Sequence, residues 1–187
     1  MTPKSHYQNY MADDTISPLS IELCNQVIKF RPVHVLDFGS GSGKHVARIE
    51  RMFNVSGCAL DLSFNNASQA HFMHQLPFIV KADETYLRHF CNFDVIITCS
   101  VLDHIEDIKG IIGEFKRIAN KAIVIAETNT KAGEFYYPHN YEQYGFTKID
   151  FSWKSESDNA TYHIWVWHKS VSIGEAGNSF VNDDLAK

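Results

Sequence analysis

Val35-Leu36-Asp37-Phe38-Gly39-Ser40-Gly41-Ser42-Gly43 is the stretch that decides the fold. Residues 33–38 form a short apolar, β-branched run of the kind buried inside a parallel sheet, and alternate glycines close it. Val46, Ile49 and Phe53 then recur at helical spacing. A glycine-rich turn between a strand and a helix lets backbone approach a ligand closely and aims helix N-terminal amides at negative charge. A dinucleotide fingerprint runs G-x-G-x-x-G, and here Lys44 occupies the third glycine position, so the turn fits a pyrophosphate poorly.

Working outward, residues 17–30 place Leu19, Ile21, Leu23, Val27 and Ile28 at helical spacing behind Pro18, which predicts a helix before the first strand. Downstream, strands are expected over 55–60, 78–81, 93–99 and 122–126, and helices over 63–73, 84–90 and 105–120. Asp103 and Glu106 read as the cap and the acidic first turn of the last of these helices. Strict alternation of strand and helix implies a parallel sheet covered on both faces. Residues 146–153 and 162–168 break the pattern: both alternate aromatic and β-branched residues around a polar, turn-rich link, which is a hairpin signal. The expected fold is therefore α/β, a doubly wound, Rossmann-like three-layer sandwich. Its mostly parallel seven-stranded sheet carries an antiparallel C-terminal hairpin at one edge. Residues 1–169 are expected to form a single domain, opened by an N-terminal segment and helix (1–32), and 170–187 to be a flexible tail.

Composition narrows the function. In 187 residues there are 17 Lys+Arg against 22 Asp+Glu, and the basic residues are scattered, so no nucleic-acid partner is implied. No signal-peptide pattern and no membrane-spanning apolar run is present, so a cytoplasmic protein is expected. Cys24, Cys58, Cys91 and Cys99 form no CxxC pair and are expected as free thiols. His71 and His74 have helical ligand spacing without an acidic or cysteine neighbour, so no metal site is assigned.

Gly39, Gly41 and Gly43 behind Asp37, with Asp61 ending the second strand some twenty residues on, resemble motif I and the following acidic position of the class I S-adenosylmethionine (SAM)-dependent methyltransferases. Asp83 after the third strand and the segment FDVIITCSVLDHIED (93–107) extend the resemblance over residues 33–168. A carboxylate ending the second strand lies beside the crevice outside the strand C-termini, where it can accept both hydroxyls of a ribose. The resemblance implies that Gly39, Ser40, Gly41 and Gly43 pack against the methionine part of SAM, and that Asp61 and Leu62 flank the ribose. It places Ala82 and Asp83 at the adenine and Ser100 toward the sulfonium. Asp37 either contacts the cofactor ammonium or holds the glycine turn through side-chain to backbone bonds.

The acceptor side carries fewer signals. Methyl transfer from a sulfonium is an in-line displacement driven by the cofactor, so alignment alone can suffice. Where a base is needed, His104, Glu127 and His139 stand at or just after strand C-termini, with helix filling as the other role for His104. Thr98-Cys99-Ser100-Val101 replaces the Asn/Asp-Pro-Pro-Tyr-like motif of amino-methylating DNA and protein-glutamine enzymes, and Cys99 lacks the proline that precedes a cytosine-C5 nucleophile. Glu127 and Asn129 alone do not complete a magnesium set of the catechol type. Tyr7, Tyr10 and Tyr137 are candidate lid or wall residues. With only about twenty residues between 126 and 146, the acceptor pocket is expected to be shallow, or completed by the N-terminal segment or a second subunit. These readings point to methyl transfer onto a small molecule by a monomer or homodimer. A non-catalytic module binding SAM or S-adenosylhomocysteine (SAH) is the alternative. A nicotinamide oxidoreductase is disfavoured by Lys44 and by the lack of a second domain.

Overall fold

The computed structural model describes residues 12–76, 79–128, 136–157 and 159–170. Helix α1 (Pro18–Ile28) precedes β1 (His34–Phe38), α2 (Lys44–Met52), β2 (Ser56–Asp61), α3 (Phe64–His74) and β3 (Ile79–Lys81). A 3-10 segment (Glu84–His89) leads to β4 (Phe93–Cys99), and a second (Leu102–His104) to α4 (Lys109–Ile118) and β5 (Ala119–Thr128). A third (Glu142–Tyr144) precedes the hairpin of β6 (Thr147–Lys154) and β7 (Thr161–His168). The seven strands form one sheet in the order β3-β2-β1-β4-β5-β7-β6. Strands β1 to β5 run parallel, whereas β7 is antiparallel to both β5 and β6.

The sheet is packed on both faces, as its near-continuous apolar strands require. Leu36, Ile96, Ile123 and Ile125 face Ile111, Ile112, Phe115 and Ile118 of α4 on one side. On the other, Val35, Val95, Ile97 and Val124 meet Leu19, Leu23 and Val27 of α1. Ser17 caps α1 by accepting from the Ser20 amide, and Pro18 occupies its first turn. On β7, Trp165 is fully buried, 4.7 Å from the Tyr141 ring, and its Nε1 donates to Glu142 Oε1 at 3.2 Å.

Two local expectations need correction. The helix expected from residue 105 begins at Lys109, because the chain leaving β4 first makes the 3-10 turn Leu102–His104. Asp103 therefore caps nothing at α4. Its side chain is buried at the end of β4, and the first amide of α4, that of Lys109, donates to Asp107 Oδ1 at 2.9 Å in a local turn, with Ile108 as the N-cap. The link over 84–90, expected as a short helix, is 3-10 in form with Asp83 as its N-cap. The four cysteines are free thiols. No helix among the described residues is long and apolar enough to cross a membrane. Tyr7, Tyr10 and residues 171–187 lie outside the described residues.

Candidate functional site

The strand order reverses between β1 and β4, and such a switch point opens a crevice at the strand C-termini. Two turns meet there. The glycine turn leaves β1 with Gly39, Gly41 and Gly43 at φ +67°, +55° and +79°, a left-handed backbone that favours glycine at each. Gly39 and Ser40 donate their amides to Leu60 O at 2.8 and 3.0 Å, which pins the turn to the end of β2. Opposite, Ser100 takes φ +55° as the chain leaves β4. A Cβ on Gly39 would collide with the Val101 side chain, so the closest approach of the two turns requires glycine.

Asp37 is buried at the top of β1 on the α1 side, and among the described residues neither of its carboxyl oxygens has a hydrogen-bond partner of ordinary geometry, the Val46 amide lying near without closing one. Burial pushes its pKa up to about 7, opposed by the Val46 amide and reinforced by the charge of Asp61. It makes no side-chain hydrogen bond to the glycine turn. Ser40 Oγ is likewise buried without a partner. Such groups are costly unless something satisfies them, and they mark the place where a polar ligand would.

Asp61 ends β2 and is 7% exposed. Its Oδ2 accepts from the Gly41 amide at 2.8 Å, and its Oδ1 from the Ser63 amide at 2.7 Å and from Asn66 Nδ2 at 3.1 Å. Burial raises its pKa, and these three donors pull it back. Leu62 is half-buried beside it, and the Ala82 amide donates to Asp61 O at 3.0 Å, joining the ends of β2 and β3. Asp83 accepts from the Thr85 amide at 3.0 Å and from its hydroxyl, closing the N-terminus of the 3-10 segment.

Sequence patterns did not expose the strap formed by residues 12–15. Lys44 Nζ donates to Asp13 O and Thr15 O, each at 2.8 Å, while Asp14 Oδ1 accepts from Ser42 Oγ at 2.7 Å and pairs with His74 Nε2 at 2.8 Å. The Ala12 amide donates to Asn66 Oδ1 at 2.8 Å, and a Cβ on Gly41 would come within 2.7 Å of the Ala12 methyl. Asn66 leaves one faint trace in the sequence: with Ser63 as N-cap it falls in the first turn of α3, where a polar side chain can reach back to the end of β2.

Across the crevice, Glu127 at the end of β5 is fully buried. Its carboxylate accepts from the backbone amides of Val101 (3.0 Å), Leu102 (3.1 Å) and Asp103 (3.4 Å), so it holds the turn after β4. Burial, and next the adjacent Asp103 charge, raise its pKa well above the usual carboxyl range. His104 beside Asp103 is partly exposed: its side chain is 13% accessible, its Nε2 lies 3.5 Å from Asp103 Oδ1, and its ring lies 4.7 Å from that of Tyr136 at a tilt of 57°. His139 Nε2 donates to Leu102 O and Ile105 O at 3.0 and 2.9 Å, clipping the later loop to the same turn. The Tyr137 amide donates to Asp103 O at 2.7 Å. Ser100 donates its amide to Ala126 O at 2.9 Å, and its hydroxyl is 3.4 Å from that of Tyr162.

A methyltransferase-domain family model matches residues 5–171. Among solved structures, the magnesium protoporphyrin IX methyltransferase of Synechocystis PCC 6803 with bound SAM superposes with a TM-score of 0.63 at 15% identity, over 85% of this chain and 87% of that one. The 1,6-didemethyltoxoflavin-N1-methyltransferase of Burkholderia thailandensis, with bound 1,6-didemethyltoxoflavin and SAH, gives 0.61 at 17% identity over 82% and 79%. The [4+2]-cyclase SpnF gives 0.67 at 14% identity over 88% and 87%. No curated protein matches the sequence.

Proposed function

The chain belongs to the methyltransferase-domain family, and from that premise we propose that it binds SAM across the β1/β4 switch point and transfers the methyl group to a small-molecule acceptor. One observation carries the cofactor half: Asp37, buried without a hydrogen-bond partner among the described residues, stands beside a glycine cradle and close enough to Asp61 for the two charges to interact. A cationic ammonium is the chemistry that satisfies such a carboxyl, and a ribose diol suits Asp61. Gly39, Ser40, Gly41 and Gly43 would cradle the methionine moiety, Leu62 would flank the ribose beside Asp61, Ala82 and Asp83 would border the adenine, and Ser100 would close the sulfonium side. SAM supplies an activated methyl group, so the protein's task is alignment and exclusion of water.

On the acceptor side we assign the base role, where an acceptor needs one, to His104. Glu127 spends its carboxylate on three amides and His139 Nε2 on two carbonyls, so both serve as supports of the turn that carries His104. A second reading, a protein of this fold that does not transfer methyl groups, is favoured by the likeness to a [4+2]-cyclase, because a shared fold does not fix chemistry.

Calorimetric titration with SAM, SAH and NAD in parallel tests the cofactor. Binding of the first two without NAD supports the proposal, and binding of NAD alone, or of none, overturns it. At pH 6, below the raised pKa of Asp37, SAH binding should release close to one proton, read as a buffer-dependent enthalpy that Asp37→Asn abolishes. Methyl release from an acceptor panel then separates transfer from binding. With a working phenol or amine acceptor, His104→Ala should slow turnover by roughly 10²-fold or more, and unchanged turnover would remove the base assignment.

A further inference from the structure

Asp61 is short of acceptor capacity for the ligand assigned to it. An ionised carboxylate offers about four lone-pair sites, and three are already filled by the Gly41 amide, the Ser63 amide and Asn66 Nδ2. A ribose diol brings two donors, so one of the three must yield. The Gly41 amide belongs to a turn fixed by its bonds to Leu60 O and by the left-handed backbone of three glycines. The Ser63 amide belongs to the residue that caps α3. Only Asn66 meets Asp61 through a rotatable side chain, and the other end of that amide accepts from the main chain at Ala12.

We propose that Asn66 is a positioning residue acting as a latch: its amide holds Asp61 and the strap together in the free protein, and the ribose diol displaces it from Asp61, loosening the strap at Ala12. This rests on the assignment of Asp61 to the ribose. The remaining strap ties, from Lys44, Ser42 and His74, do not touch Asp61 and stay in place. Cofactor entry is thereby coupled to release of one main-chain bond across 54 residues of sequence.

The test is calorimetry with SAH and with its 2′-deoxy form. Asn66→Ala frees a site on Asp61 and should tighten SAH about fivefold, the worth of one net hydrogen bond, while leaving the 2′-deoxy ligand unchanged. Ala12→Pro removes the strap's N–H donor while leaving Asp61 and Asn66 themselves unaltered, and should tighten SAH about twofold. Asp61→Ala should weaken SAH tenfold or more. If Asp61→Ala leaves SAH affinity unchanged, the ribose assignment fails and the latch with it. If Asp61→Ala weakens binding while Asn66→Ala and Ala12→Pro leave it unchanged or weaker, or if the 2′-deoxy ligand gains equally, the latch alone is overturned.

Discussion

On the β1–β2 side of the crevice Asp37 keeps both carboxyl oxygens unpartnered and Asp61 keeps one acceptor site open, whereas on the β4–β5 side Glu127 fills its carboxylate with the amides of Val101, Leu102 and Asp103. Both sides bury acidic groups at strand ends. The first leaves Asp37 without a donor among the described residues and gives Asp61 three, and the second uses Glu127 up in holding a loop. A buried carboxylate is thus not by itself a catalytic group, and its existing donors decide whether it is available to a substrate.

That contrast can be broken by experiment. The largest effect is expected at Glu127→Ala, which strands three amides, an effect only partly offset by relief from the neighbouring Asp103 charge. Chemical denaturation should show a loss of about 3–5 kcal/mol, and a loss below about 1 kcal/mol would mean that the β4–β5 acids do not hold the turn. Asp37→Asn should act in the opposite sense. An acid whose folded pKa is raised from 3.8 to about 7 costs stability as pH climbs through that window. The variant should therefore be more stable than the parent at pH 8, on the order of 2–4 kcal/mol, with no difference at pH 3, while binding SAH more weakly. Denaturation at the two pH values checks this, and a destabilised variant at pH 8 would show that Asp37 is satisfied within the protein. Gly39→Ala forces a side chain into left-handed backbone and against Val101, and should cost about 1–3 kcal/mol together with SAH binding. Wild-type stability in that variant would show that the two turns are not in contact. The smallest effect is expected at His139→Ala, about 1 kcal/mol in the same assay with SAH affinity unchanged; reduced affinity would move His139 into the cofactor half.

Much of the first side could be read from residue order, and little of the second. The strands, the glycine turn and Asp61 announce themselves because their determinants are local: apolar runs, left-handed backbone and an acid at a strand end. The work of Glu127 depends on amides 24 to 26 residues away, which no periodicity reveals. Asp103 misled for the same reason. Its position three residues ahead of Glu106 looks like a helix start, but the chain needs that turn to reach Glu127, and α4 begins later. The strap is further still from sequence reasoning, since Ala12 and Asn66 meet only after α3 has folded back beside the glycine turn.

All three tryptophans, Trp153, Trp165 and Trp167, belong to the antiparallel hairpin of β6 and β7, and Trp165 is packed under Tyr141. Intrinsic fluorescence therefore watches one edge of the sheet, and Trp153, 5.9 Å from the Tyr162 ring whose hydroxyl lies 3.4 Å from that of Ser100, reaches toward the end where the cofactor is expected. Should the hairpin peel away before the parallel strands part, the emission change would precede the loss of helical circular dichroism, and the gap between the two curves would measure how independently that edge comes apart.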